Sequence, residues 1–285
     1  MEAFLQLESV VYTDQYRLKV DISGDGEIVI VQGPHLDGIQ LRRYDDLHIE
    51  EVLEKRGEGV LTPNGRWLVF GDVIYDLQTR EWEKFDEVQE EYKLLSISPN
   101  SHYLGYTTSY EYEVDWITIY ALPFSKGGRK VCYPQEVCDT RDYLMHISKV
   151  DFSADNQWGV CCCGIDLDVP PGWMGNVFVI STQKEKIKWR VSIEAQQMVD
   201  EEAEERGNYL FGYLLEALFV GEEVVCVSTK GLLVFLDAET GEFIRSMKLD
   251  VRRVYEMKKN HDGTALVIRT DKGLQFVPIP AKTQK

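Results

Sequence analysis

Six cysteines, at positions 132, 138, 161, 162, 163 and 226, are the first residues in this sequence that suggest chemistry, because thiolates hold metals. Zinc sites use closely paired cysteines. Cys132 and Cys138 have five residues between them, and His146 is near them in sequence only. Successive side chains along a strand point to opposite faces, so Cys161, Cys162 and Cys163 cannot converge on one ion. Three consecutive cysteines also make a poor disulfide framework and suit a reducing compartment. They read as small apolar core residues, and no metal is expected.

Catalytic patterns are equally sparse. The five histidines, His35, His48, His102, His146 and His261, are scattered. No phosphate-loop, nucleophile-elbow or His-Glu-x-x-His pattern occurs. The stretch from Ser23 to Gly26 reads as a hairpin turn and not as a phosphate cradle. Asp166 and Asp168 are spaced for calcium or acid–base work, but 48 acidic residues produce such pairs by chance. No catalytic residue or cofactor is expected, and the chain is not expected to be an enzyme.

Binding is the better-supported chemistry. Residues 166–175 read as an extended loop stiffened by Pro170 and Pro171, with Trp173 and Met174 at its tip. Exposed tryptophan is enriched at binding hot spots. A second loop carries Tyr110, Tyr112 and Trp116. Residues 194–208 are rich in helix formers and end at Gly207, so they predict a short helical insertion that presents Glu201 and Glu202.

The formal charge of −17 comes from 48 acidic and 31 basic residues. Such a surface repels nucleic-acid phosphates and anionic lipids unless cations cluster. Here they come only in pairs, such as Arg42–Arg43 and Arg252–Arg253. Neither nucleic acid nor membrane is an expected partner; one or more proteins, including one with a basic surface, are. No window has the apolar length of a membrane-spanning helix. The first eight residues lack the basic start and apolar run of a signal peptide, and a cytoplasmic protein is expected.

The elements that would position these residues form a repeat. Six segments share an apolar strand, a tight turn, a very apolar strand, a short loop and another apolar strand. The turns end at residues 26, 65, 101, 156, 222 and 263, spaced 39, 36, 55, 66 and 41 apart. Asp-Gly and Asn-Gly at these turns tolerate positive φ. Runs such as Ile28–Val31 and Val224–Val227 are apolar at every position, which predicts strands covered on both faces. A fourth strand follows most units, as after Asp76 and Asp237.

Four antiparallel strands per unit at about 40–45 residues, with Ser-Pro-Asn or Ser-x-Asp-Gly turns, resemble the WD40-like β-propeller family. Trp-Asp dipeptides and blade-opening Gly-His pairs are missing. The resemblance implies an all-β, six-bladed propeller over residues 1–285, with insertions at about 165–176 and 194–208. Seven blades are the alternative. The last unit ends after its third strand, so a strand at residues 3–11 is expected to complete it. The function implied is a non-catalytic protein–protein interaction scaffold within a larger assembly. The alternatives are a propeller enzyme or small-ligand binder that uses a central channel, and an acidic inhibitor-like partner of a basic protein.

Overall fold

The computed structural model describes residues 19–33, 36–54, 59–70, 73–84, 93–108, 117–122, 130–133, 145–165, 173–194, 212–259 and 265–279. Every strand among them belongs to one of six antiparallel sheets, and none of the described residues is helical. They fall into two compact units.

The first unit holds two four-stranded sheets. One runs β1 (Lys19–Ile22), β2 (Ile28–Gln32), β3 (Gly38–Arg43) and β4 (Ile49–Glu54). The other runs β5 (Val60–Leu61), β6 (Trp67–Phe70), β7 (Val73–Asp76) and β8 (Glu81–Lys84). Ile30 and Leu41 of the first sheet share a core with Leu68, Phe70 and Tyr75 of the second.

The second unit holds four sheets. They are β9 (Lys93–Ile97) to β10 (Tyr103–Thr108), β11 (Ile117–Ala121) and β12 (Lys130–Tyr133); then β13 (Met145–Ile147) and β14 (Asp151–Phe152), both on β15 (Trp158–Ile165), followed by β16 (Trp173–Ser181) and β17 (Ile187–Glu194). Next come β18 (Leu214–Val220), β19 (Glu223–Ser228), β20 (Leu232–Asp237) and β21 (Phe243–Lys248). The last sheet has three strands, β22 (Val254–Lys259), β23 (Ala265–Thr270) and β24 (Gly273–Pro278).

Strand alternation feeds a different core on each face. On β15, Cys161 and Cys163 pack with Ile117 and Ile119 of the preceding sheet. Val160 and Cys162 pack with Leu214 and Cys226 of the following one. On β19, Val224 and Cys226 face back, whereas Val225 and Val227 face forward onto Met257 and Ile268. A fully buried aliphatic side chain contributes about 1.5–3 kcal/mol, so two-sided burial doubles the return from each residue of backbone ordered. Cys161, Cys162, Cys163 and Cys226 are free buried thiols within these cores.

Four first turns are built from one device. Ser23, Thr62, Ser98 and Ser153 each donate a hydroxyl hydrogen bond to a side chain two residues on: Asp25, Asn64, Asn100 and Asp155, at 2.5–2.8 Å. Each hydroxyl also accepts the N–H five residues on, at 2.9–3.1 Å. The Asp or Asn accepts the N–H two residues after it. Three local bonds thus close each turn and start the next strand in register. The fourth position takes positive φ, as Gly26, Gly65, Ser101 or Asn156. The Ser23–Gly26 segment is therefore a hairpin turn.

Two expectations are corrected. Residues 173–175 belong to β16 and not to a loop; a bulge between Trp173 and Gly175, where φ is +140°, carries the strand past the irregularity. Glu194 closes β17, so the insertion expected from 194 begins inside a strand. The rest of that insertion and residues 3–11 lie outside the described residues.

The turns give a matched pair of substitutions. A Cβ on Gly26, at φ +77°, meets nothing within 4 Å, whereas one on Gly65, at φ +66°, falls 1.7 Å from the Gly24 backbone nitrogen. Gly26→Ala should cost only the left-handed backbone penalty, about 1–2 kcal/mol. Gly65→Ala should cost clearly more, because two backbones must separate. Urea midpoints of the two variants check this, and equal losses would refute the close approach.

Candidate functional site

First strands of these sheets pair on one side only, which leaves backbone donors on the other edge that need acceptors. In the second unit, carboxylates from neighbouring first strands supply them. Asp151 on β14 accepts the Phe219 N–H of β18 at 2.7 Å. Glu216 on β18 accepts the Met257 N–H of β22. Lys259 of β22 returns to Asp151 with Nζ 2.9 and 3.2 Å from its two carboxylate oxygens. Three first strands are thus strapped together by two carboxylates and one ammonium. Bulges at Leu215 and Tyr255 set the register that aims these donors.

Burial raises the Asp151 pKa despite the opposing charge and hydrogen bond of Lys259. Burial likewise lifts Glu216 to about 7, opposed by the Met257 N–H; Glu256 adds repulsion, and Lys149 and Lys258 pull the other way. A carboxyl poised near neutrality is the kind that general acid–base catalysts use. Here, however, Asp151 and Lys259 neutralise each other, and Glu216 is bonded to backbone. The geometry describes a structural strap that holds a proton.

None of these three residues was singled out from the sequence. Their positions are 41 to 108 residues apart along the contacting pairs. The available signal was a charge inside an apolar strand, at Asp151 before Phe152 and at Glu216 between Leu215 and Ala217. Asp21 stands at the same offset from its turn serine as Asp151 does from Ser153.

The residues that were singled out are not brought together by the described structure. Met174 is fully buried, packed in the core shared by the fourth and fifth sheets, because the bulge turns it inward. It is no exposed loop-tip contact. Trp173 lies in β16 with its backbone opposite Glu194. Tyr110, Tyr112, Trp116, Glu201 and Glu202, along with Asp166, Asp168 and Cys138, lie outside the described residues. His48 and His102 are exposed, in different units. Among the described residues, no group of three or more His, Cys, Asp or Glu side chains is placed to hold a metal.

A different exposed surface stands out on the last sheet. The third strands β7 and β20 are buried except at their final residue. On β24, Leu274 is 59% and Phe276 68% exposed. Tyr255, 44% exposed, sits between the guanidinium groups of Arg253 and Arg269, 5.5 and 5.4 Å from its ring centre. Aromatic and arginine side chains of this kind dominate binding hot spots.

The strap has a pH signature. Glu216 titrates near 7 in the folded chain, against an ordinary value of 4.5, so the folded state holds a proton that the unfolded state releases between these values. Its contribution to stability is complete below about 4.5 and is lost as pH rises through about 7, to a total of about 3 kcal/mol. Glu216→Gln keeps the acceptor and removes the titration. The variant should melt higher than the parent at pH 8 and lose this part of the decline between pH 5 and 8; parallel melting profiles would refute the assignment.

No protein-family model matches the chain, and no curated protein sequence does. Solved structures do. Hydrazine synthase of Kuenenia stuttgartiensis is 14% identical, with a TM-score of 0.54 over 92% of this chain and 76% of that one. Hsv2 of Kluyveromyces lactis is 14% identical, with a TM-score of 0.53 over 94% and 75%. The β-propeller domain of Cps50 (Swd1) from Myceliophteria thermophila is 14% identical, with a TM-score of 0.52 over 96% and 69%. At such identity the likeness shows the fold alone, and together with the antiparallel sheets of the described residues it gives this chain a β-propeller fold.

Proposed function

We propose that the chain is a non-catalytic protein–protein interaction module, a rigid scaffold within a larger assembly. The observation that carries this reading is the exposed apolar outer strand β21, which carries Phe243, Ile244 and Met247. An apolar surface of this kind marks a contact site, and aromatic and arginine groups supply the binding energy in such contacts. The engagement of Asp151, Glu216 and Lys259 in structural bonds weighs against a catalytic reading. Buried free thiols suit a reducing compartment and support a cytoplasmic location.

In the same reading each sheet is one blade of a six-bladed ring, and residues 3–11 supply the missing outer strand of the last. Among the described residues the last sheet has three strands, against four or more in the others, which supports it. Deleting residues 1–12 should lower the melting temperature of the whole chain and remove hydrogen-exchange protection along β24. Unchanged melting and exchange would sink the closure.

The module itself is tested by affinity capture from the host with tagged chain, at low and high salt. A stoichiometric partner retained by the parent and lost on Phe243→Ser or Ile244→Ser is the expected result. A clean bait at both salts, with a retained small molecule instead, would transfer the function to a ligand.

A further inference from the structure

We propose that the basic turns gathered at one end of the fifth and sixth sheets receive an extended, carboxylate-rich segment of a partner protein. This rests on the interaction-module reading and adds the chemistry of the partner.

The sequence shows its cations only singly or in pairs, but three turns of the second unit bring distant ones together. These are the β19–β20 turn at 229–231, the β21–β22 connection at 249–253 and the β23–β24 turn at 271–272. Leu249 donates its N–H to the Gly231 carbonyl at 2.8 Å, Val254 to Thr229 at 2.7 Å and Asp271 to Arg253 at 3.0 Å. The Asp271 carboxylate accepts the N–H groups of Arg252 and Arg253 at 3.0 and 3.2 Å. Gly231, at φ +84°, lets Val251 approach so closely that a Cβ there would fall 2.6 Å from its Cγ2. The three turns are thus fastened to one another within the second unit, at strand ends and not on the face of a sheet.

This frame holds like charges side by side. Lys248 donates its ammonium to the Lys230 carbonyl. Burial and the Lys230 charge push the Lys248 pKa down, against the pull of Asp250. Lys272 holds Asp250 at 2.7 Å, and its side chain is still 47% exposed. Arg252 is exposed as well, whereas Arg253 turns its guanidinium onto Tyr255. Lys230, Lys248, Arg252 and Lys272 therefore make one cationic cluster in a chain whose total charge is −17. An incoming anion relieves the repulsion that the turns impose. Screening confines each charge to roughly 8 Å at physiological salt, so a contacting segment feels the cluster before the distant acidic surface.

The spread of these cations selects a row of single charges. Packed sheets stand about 10 Å apart, and an extended chain rises about 3.3 Å per residue. Acidic residues three apart therefore reach Lys248 at the end of the fifth sheet and Arg252 or Lys272 beside the sixth. A compact dianion would engage one turn and meet Asp250 there. Guanidinium groups pair carboxylates with two parallel hydrogen bonds. A nucleic acid, charged along its whole length, would run onto the acidic remainder and is disfavoured. Lys248 ends β21, so the cluster continues the strand that exposes Phe243, Ile244 and Met247.

The test is fluorescence anisotropy of a labelled ten-residue peptide rich in Glu, against the same peptide with Gln or Lys for Glu, on the full chain. Binding of the Glu peptide alone, weakening with salt, is expected. Arg252→Glu and Lys272→Glu should each weaken it about tenfold. Lys184→Glu, the same charge change in the β16–β17 turn, should leave it unaltered. Melting curves of each variant exclude loss of fold. Equal binding of the Glu and Gln peptides, or of neither, overturns the proposal, and so does tighter binding of a single-stranded oligonucleotide. A salt-sensitive dimer lost on Arg252→Glu also overturns it, by giving the cluster to the acidic run at 200–205 of a second copy. A captured host partner lost on Phe243→Ser but retained on Arg252→Glu and Lys272→Glu would leave the module reading standing and remove this cluster from it.

Discussion

Two-sided burial is the constraint on which the rest of this structure depends. A strand such as β20 has Leu232, Val234 and Leu236 in one core and Leu233 and Phe235 in another. Such a strand is stable only with a packed sheet on each side, because leaving either face in water forfeits about 1.5–3 kcal/mol for each large side chain. The sheets therefore cannot be independent hairpin modules. Each requires the next, and the sequence repeats because the packing problem repeats. The carboxylate strap has the same origin. A stack of sheets brings the free edges of first strands together, and unpaired N–H groups there need acceptors that do not come from another strand. Asp151 and Glu216 provide them, and the burial that makes the bonds useful raises both pKa values.

The turns solve the complementary problem of register. A one-residue slip would exchange the two faces of a strand, sending Cys161 into the core of Cys162 and inverting every residue after it. The hydroxyl of Ser153 prevents this locally. It accepts from Trp158 while donating to Asp155, and so fixes how many residues separate β14 from β15. The same bonds recur at Ser23, Thr62 and Ser98. A small polar device of this kind gives four of the sheets a defined start without the Trp-Asp pairs that the sequence lacks. Further out, Asp76 and Asp237 cap their own turns by accepting two backbone N–H bonds each.

Local chemistry was legible in the sequence, and distant juxtaposition was not. Asn64-Gly65 and Asp25-Gly26 announce turns because positive φ restricts the residue types that fit. Val224–Val227 announces a strand buried on both faces because no other strand environment tolerates four apolar residues in a row. The third and fourth strands followed from the same alternation. Met174 went wrong because Pro170, Pro171 and Gly175 suggested a loop, whereas Gly175 takes a conformation that lets the strand resume before it. The Asp151–Lys259 pair spans 108 residues, and nothing in either local sequence names the other. Tyr255 was missed for a related reason. Its exposure depends on a bulge and on what packs beside the sheet, neither of which has a residue-type signal.

Two-sided burial also decides where such a fold can bind anything. Inside the stack of the second unit, both faces of the fourth and fifth sheets are committed to cores. Among the described residues of these two sheets, what remains accessible is turns and outer strands. The outer strand β21 shows the ordinary form, with Phe243 and Ile244 about half exposed on an edge. Interaction chemistry placed on such an outer strand costs the core nothing, whereas the same residues on β19 or β20 would open a cavity between two sheets.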